Sequence, residues 1–281
     1  MLGPAVLVRS LSTPSIKGKR GNVWQYHSRS DRHSKVACWG VMFDLLRTSP
    51  LLRQQVRAGT VGFGINHQMR DYSNGRKKDL DLVLCRRDAE EGSGEFAGLV
   101  DKYGIRLTDE EADLLCALPP LYRCKPQRVL MALEAKACMT AHIKAIPRLF
   151  DELNSSHLTI HGAAEMAIAV GLVMINSSDW FVSPDINKWD LKKLPAEVTT
   201  HKQPKCVERV VRKVAQLGRR GHTGETGYDA VGIVLVDGRN DGTPFRLAEP
   251  PPSVAPTCDL LSYQQMVLRI AQLYESRFPA T

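Results

Sequence analysis

The sequence has no apolar run near the roughly 18 residues that a membrane-spanning helix needs, and the N-terminal apolar stretch at 4–8 is too short for a secretory signal. Its seven cysteines, Cys38, Cys85, Cys116, Cys124, Cys138, Cys206 and Cys258, stand apart, with no CxxC pair to close a zinc or redox motif. Reduced thiols in a cytoplasmic protein are therefore expected. The glycine pair Gly62 and Gly64 does not continue into a GxGxxG or P-loop pattern, and no GxSxG elbow or HExxH helix occurs. A nucleotide cofactor, a serine nucleophile of the hydrolase kind and a zincin centre are thus not expected. Acid is missing from residues 1–30, which carry Arg9, Lys17, Lys19, Arg20 and Arg29 among serines. Such a stretch also suits an organelle transit peptide, but a basic arm on a DNA-binding protein explains the same residues and is the expectation adopted.

What is present is enough for a large core. The 281 residues are 43% hydrophobic and 24% charged, so one large domain or a domain with a smaller appendage is expected. Lys and Arg number 38 against 30 acids, and the resulting charge of +8 points towards a polyanionic partner without identifying one.

Apolar positions Val36, Trp39, Val41, Met42, Leu45 and Leu46 mark a half-buried helix over 34–46, which Pro50 interrupts. A strand at 61–65 and a turn at Asn74-Gly75 lead to the run 79–84, where acid and leucine alternate, as on a strand with one dry face and one carrying Asp79 and Asp81. Thr108 and Glu111 form a capping-box signature for a helix over 109–118. The run 129–137 is a second strong strand, with Leu133, Ala135 and Ala137 on one face and Glu134 and Lys136 on the other. A helix should follow and reach about Leu153, with Pro147 kinking it or starting another. Residues 167–176 read as a central strand covered on both faces. A basic helix over 205–217, a flexible basic loop at 218–227, a hairpin joining 231–236 to 245–247, an extended linker at 250–256 and a final helix over 260–278 complete the chain.

Hydrolysis of a phosphodiester needs a nucleophilic water, a Lewis acid at the phosphate oxygens and neutralisation of developing charge. Magnesium needs only one or two protein carboxylates for this. Glu134 and Lys136 leave one strand face roughly 6.6 Å apart along it, so one can hold metal while the other orients the attacking water. With Asp81 opening Leu82-Val83-Leu84 and Glu134-Ala135-Lys136 closing 129–133, the pattern resembles the PD-(D/E)XK nuclease superfamily, type II restriction endonucleases included. Leu80 stands where the family has proline, and the separation of 53 residues from Asp81 to Glu134 requires an insertion over 86–128. The triplet Asp190-Leu191-Lys192 also fits the acid-x-Lys pattern but has no preceding strand. The resemblance implies metal binding by Asp81 and Glu134, with Asp79 as the alternative ligand on the same strand. It implies that Lys136 activates water or stabilises charge.

It further implies an α/β restriction-endonuclease-like fold: a mixed central sheet flanked by helices, with additional C-terminal helices and a hairpin. The expected organisation is a basic arm at 1–30, a nuclease core at 31–180 and a C-terminal extension at 181–281 packed on the same domain. The expected activity is Mg²⁺-dependent cleavage of double-stranded DNA at a specific sequence by a homodimer in a bacterial or archaeal cytoplasm. The alternatives are a structure-specific repair or phage nuclease and a non-catalytic DNA-binding protein of the same fold. DNA contacts are expected from His142, Lys144 and Arg148 after the second strand, from the stripe Lys205, Arg209, Arg212 and Lys213, and from Arg219 and Arg220.

Overall fold

The computed structural model describes residues 1–72, 74–87, 94–125 and 128–279. In chain order its elements are α1 (Gly3–Ser12), β1 (Ile16–Lys17), β2 (Val23–Trp24), α2 (Arg32–Thr48), α3 (Pro50–Arg57), β3 (Val61–Arg70), β4 (Lys77–Arg86), α4 (Leu99–Tyr103) and α5 (Asp109–Cys116). Then come β5 (Val129–Cys138), α6 (His142–Ala163), β6 (Ile168–Asn176), β7 (Trp180–Phe181), β8 (Thr199–Thr200), α7 (Lys205–Val214), β9 (Ala230–Asp237), β10 (Arg246–Leu247), α8 (Ala255–Leu260) and α9 (Tyr263–Arg277).

The architecture is mixed α/β. A six-stranded sheet has the order β10-β9-β6-β5-β4-β3. The strands β3, β4 and β5 are antiparallel, as are β9 and β10, while β5, β6 and β9 run parallel. The parallel centre needs cover on both faces. On one face Leu82, Leu84, Leu133, Ala135, Val170 and Leu172 pack with α1, α2 and α9. On the other, Ala132, Ala169, Val173 and Ile233 pack with α6 and α7. The residues beyond 180 therefore build the sheet and both layers, and are no appendage.

Four sequence expectations change. Residues 3–12 do not trail as a basic arm: Val6, Leu7 and Leu11 are buried against α2, and the backbone amides of Leu2 and Gly3 bond to the buried carboxylate of Asp44. With α1 and α9 over its outer side, α2 is buried almost all round rather than half-buried. A Cβ at Gly40 would come within 2.9 Å of the Gly3 backbone, so this crossing requires glycine. The segment 250–256 is not an extended linker, because a 3₁₀ turn over Pro252–Val254 runs into α8. Pro147 neither kinks α6 into two nor starts a new helix; it lies exposed in the second turn, where the carbonyl it leaves without a helical donor belongs to Ile143, itself exposed.

Most of the insertion is docked on the core. Phe96 stacks on Trp39 at 5.2 Å, Leu99, Ile105 and Leu121 are buried, and the capping box of Thr108 and Glu111 is formed. Glu111 also holds Arg9 of α1 in an ion pair. Residues 88–93 and 126–127 lie outside the described residues.

At the end of the sheet where β6 and β9 begin, Asp229 accepts from Arg220 Nε at 2.8 Å, Arg277 Nη2 at 2.5 Å and the Ala169 amide at 2.8 Å, with His161 Nε2 3.4 Å away. Burial alone would raise its pKa, but the nearby His161 and the hydrogen bonds from Arg220, Arg277 and the Ala169 amide outweigh that and hold the carboxyl well below the ordinary carboxylate range. A carboxyl depressed in the folded state contributes stability that is complete above its unfolded pKa of about 3.9 and is lost as pH falls below it. Asp229→Ala should cost roughly 3–5 kcal/mol at pH 7, since it leaves buried guanidinium groups unpaired. Urea denaturation of wild type and variant should show the gap shrinking as pH is lowered below 4; a gap of constant size would contradict this account.

Candidate active site

The site forms where β4 leaves β5. The two strands pair from Cys85↔Val129 to Leu82↔Leu133, and the register goes no further. At the same level the β3–β4 pairing skips from Ile65↔Leu82 to His67↔Leu80, and Asn66 of β3 has φ +52°. Asn tolerates this left-handed conformation better than most residues. Beyond the bend, the hairpin turns over α6: Met69 and Leu80 join Leu149, Leu153 and Ile160 in the second core cluster, while Leu82 remains in the first. Leu80 and Leu82 should share a face on a regular strand. Their separation is the local irregularity that turns Asp81 into the seam between the strands.

Asp81 is held from three directions. Its Oδ2 accepts from the Ala135 amide of β5 at 2.9 Å, which replaces a ladder bond lost at the bend. Its Oδ1 accepts from Lys35 Nζ at 2.6 Å and from Ser34 Oγ at 2.9 Å, both at the start of α2. The Lys35 side chain is only 2% exposed, and burial would lower its pKa, yet Asp81 raises it on balance.

Glu134 stands on β5 across this seam, on the α6 side, and is 2% exposed. Burial, and after it the nearby charge of Asp81, raise its pKa; the Lys136 ammonium opposes this without cancelling it. Lys136 Nζ lies 2.7 Å from Glu134 Oε1 and 3.2 Å from Glu152 Oε2 of α6. Burial lowers the pKa of Lys136, but these carboxylates raise it further, so the group is an ammonium at neutral pH. The second oxygen of Glu134, Oε2, is buried with no hydrogen-bond partner.

A cavity of about 510 Å³ opens on the seam, lined among others by His33, Asp81, Lys136, Arg148 and Glu152. His33 tilts against Tyr26 at 4.8 Å; burial pushes its pKa down to about 4, and its Nδ1 has no partner. Arg148 Nε bonds Glu152 Oε1 at 2.6 Å. No three His, Cys, Asp or Glu side chains gather as a metal cluster among the described residues. Magnesium does not require three, because it keeps several waters and binds through one or two carboxylates. The residues present fit such an ion: Asp81 and Glu134 stand on neighbouring strands near enough for the Asp81 charge to raise the Glu134 pKa, and Glu134 Oε2 has no hydrogen-bond partner.

Of the three residues proposed from sequence, Lys136 contacts Glu134, and Asp81 lies near enough for its charge to act on Glu134. Asp79 does not join them. It is exposed beyond the bend and accepts from Gln68 Nε2 at 3.2 Å, because the irregularity at Asp81 breaks the alternation that had put both acids on one face. Lys35, Ser34, His33 and Glu152 were missed. The signal available was the polar quartet Arg32-His33-Ser34-Lys35 heading an otherwise apolar helix.

The expected DNA contacts divide. Lys144, Lys205 and Arg209 are exposed beside a second cleft next to the first. His142 is buried: its Nε2 bonds the Asn176 carbonyl at 2.8 Å and its ring meets His201 edge-on, so it braces the end of β6 and no surface is left for DNA. Arg220 is buried in the Asp229 cluster and also donates to the carbonyls of Glu165 and Ala167. Those carbonyls precede β6, whereas Thr140 follows its parallel neighbour β5, so Arg219 and Arg220 lie at the far end of the sheet from the site. Arg212 approaches Glu208 at 3.5 Å, and Lys213 covers the Phe150 ring at 3.9 Å, so neither is a free cation on the stripe.

Comparisons of the chain with known protein families, curated proteins and solved structures find no match. What the site can do must follow from its own chemistry.

If Lys35 and Asp81 act as one buried pair, Lys35→Met and Asp81→Asn should each destabilise the fold, and the double variant should fall short of their sum by about 1–3 kcal/mol. Denaturant titration of the four proteins measures this; strict additivity would mean the contact carries no energy.

Proposed function

We propose that the protein is a Mg²⁺-dependent endodeoxyribonuclease that hydrolyses phosphodiester bonds at the seam between β4 and β5. One observation carries this reading: Asp81 and Glu134, on neighbouring strands, are close enough for the Asp81 charge to raise the Glu134 pKa, and the half-buried ammonium of Lys136, paired with Glu134, lines an open cavity together with Asp81. Asp81 and Glu134 would hold the cation, which supplies Lewis acidity at the phosphate and lowers the pKa of a bound water. Lys35 and the Ala135 amide fix the orientation of Asp81. Lys136 remains protonated, so its role is to neutralise charge that develops on the phosphate rather than to remove a proton from water. Glu152, itself paired with Arg148, holds Lys136 from the α6 side.

Two substrate classes suit this chemistry: a specific sequence in duplex DNA, as cut by type II restriction enzymes, or a DNA structure, as cut by repair or phage nucleases. The non-catalytic alternative has less support, since a protein that merely bound DNA would have no use for a buried carboxylate oxygen without a partner, which costs stability.

Incubation of the purified protein with phage DNA should give cleavage with Mg²⁺ and none with EDTA. Asp81→Asn, Glu134→Gln and Lys136→Met should each lower the rate at least about 100-fold, whereas Asp79→Asn should stay close to wild type. Cleavage that survives Glu134→Gln, or no cleavage of any DNA, would defeat the proposal.

A further inference from the structure

A second cleft, of about 590 Å³, adjoins the catalytic cavity and shares Thr140, Ser183 and Asp185 with it. The first two turns of α6 join them, Lys144 facing the second and Arg148 the first. Its cations are Lys144 of α6, Lys202 before α7, and Lys205 and Arg209 on α7, against the single acid Asp185. That acid is already engaged by Ser28 and, at 3.7 Å, by Arg29. A polyanion is the ligand this balance favours.

The wall is not that of a simple phosphate track. Ile143 and Ile186 line it and are 49% and 39% exposed, so two large aliphatic side chains face solvent between the lysines. A further lining residue, Thr199, has a buried polar atom, Oγ1, without a hydrogen-bond partner. Apolar walls, a few polar atoms and cations around a concavity of this size describe a pocket for a flat ring carrying a phosphate. In a continuous duplex the faces of the bases are stacked on one another and cannot enter such a pocket.

We propose that this cleft houses an unstacked nucleotide of the DNA strand whose neighbouring phosphate lies at Asp81 and Glu134. This rests on the nuclease reading for the identity of the polymer, and it deepens that reading: the preferred substrate is DNA with unpaired bases beside the cut. Lys202 and Lys205 hold the phosphates of that nucleotide, and Ile143 and Ile186 cover the faces of its base.

The test uses the full chain in EDTA, where no cleavage is required, with oligonucleotides carrying 2-aminopurine at successive positions across a junction between duplex and single strand. Wild type should bind the junction about tenfold more tightly than a continuous duplex of equal length, and fluorescence should rise on binding at one or two positions, as it does when 2-aminopurine leaves a stack. Ile143→Asp, at an exposed position that the fold does not depend on, should abolish the rise and the preference; Lys202→Glu should weaken binding of the junction. Lys136→Met should keep the fluorescence rise. Equal affinity for duplex and junction, no rise with DNA bound, a rise that persists in Ile143→Asp, or no DNA binding at all would overturn the proposal. Cleavage with Mg²⁺ but no fluorescence rise would remove the nucleotide pocket and leave the nuclease reading intact; the rise without cleavage would do the reverse.

Discussion

The break in pairing between β4 and β5 at Asp81 is the constraint from which the site follows. Up to Leu82 the two strands satisfy each other's backbone. At Asp81 the hairpin turns over α6, and the Ala135 amide would be left without a partner at the centre of a covered sheet. A buried amide in that state costs about 1–3 kcal/mol, and the Asp81 side chain removes the cost by accepting from it. The same carboxylate then needs compensation for its own burial, which Lys35 and Ser34 provide from α2. A single irregularity thus places a carboxylate in a seam, opens the seam to solvent and ties it to the helix behind.

Glu134 lies on the regular side of that seam, where β5 still pairs with β6 through Glu134↔Gly171 and Lys136↔Val173. Glu134 and Lys136 are thus fixed by ladder pairing to β6, whereas Asp81 is fixed by its bonds to Lys35, Ser34 and the Ala135 amide. Lys136 couples Glu134 to the surface, since its ammonium spans Glu134 and Glu152 and Glu152 in turn meets Arg148 at the mouth of the cavity. A divalent cation held between Asp81 and Glu134 would offset the burial that chiefly keeps the Glu134 pKa high, and the repulsion from Asp81 that adds to it.

The sequence was most informative where periodicity is local. The strands β4, β5 and β6, the capping box at Thr108 and Glu111, and the hairpin from β9 to β10 follow from alternation, apolar runs and turn residues. Glu134 and Lys136 were legible for the same reason, being two apart on a strong strand. The choice between Asp79 and Asp81 was not, because it depends on a bend set by Asn66 on the partner strand, which no period within β4 encodes. Lys35 reads from sequence as a solvated helix residue; its burial goes with the ion pair it makes to Asp81 of β4, a residue 46 positions away in the chain.

The cationic residues follow the same rule. Arg219-Arg220 looks like a surface pair, yet Arg220 has a buried carboxylate nine residues on, at Asp229, and the cost of leaving that acid unpaired draws the guanidinium inward. The first 30 residues lack acid because α1 is an apolar helix that borrows its counter-charges from elsewhere, Asp44 for its amides and Glu111 for Arg9. The expected basic stripe on α7 divides because Val207, Val210, Val211 and Val214 fix its buried face; Arg209 remains beside the second cleft, while Arg212 and Lys213 rest on Glu208 and Phe150. The most direct test of the account is anomalous diffraction from a crystal of the protein soaked in Mn²⁺. The account predicts a manganese peak between the carboxylates of Asp81 and Glu134, within bonding distance of Glu134 Oε2; a well-occupied peak elsewhere, with none in the seam, would contradict it.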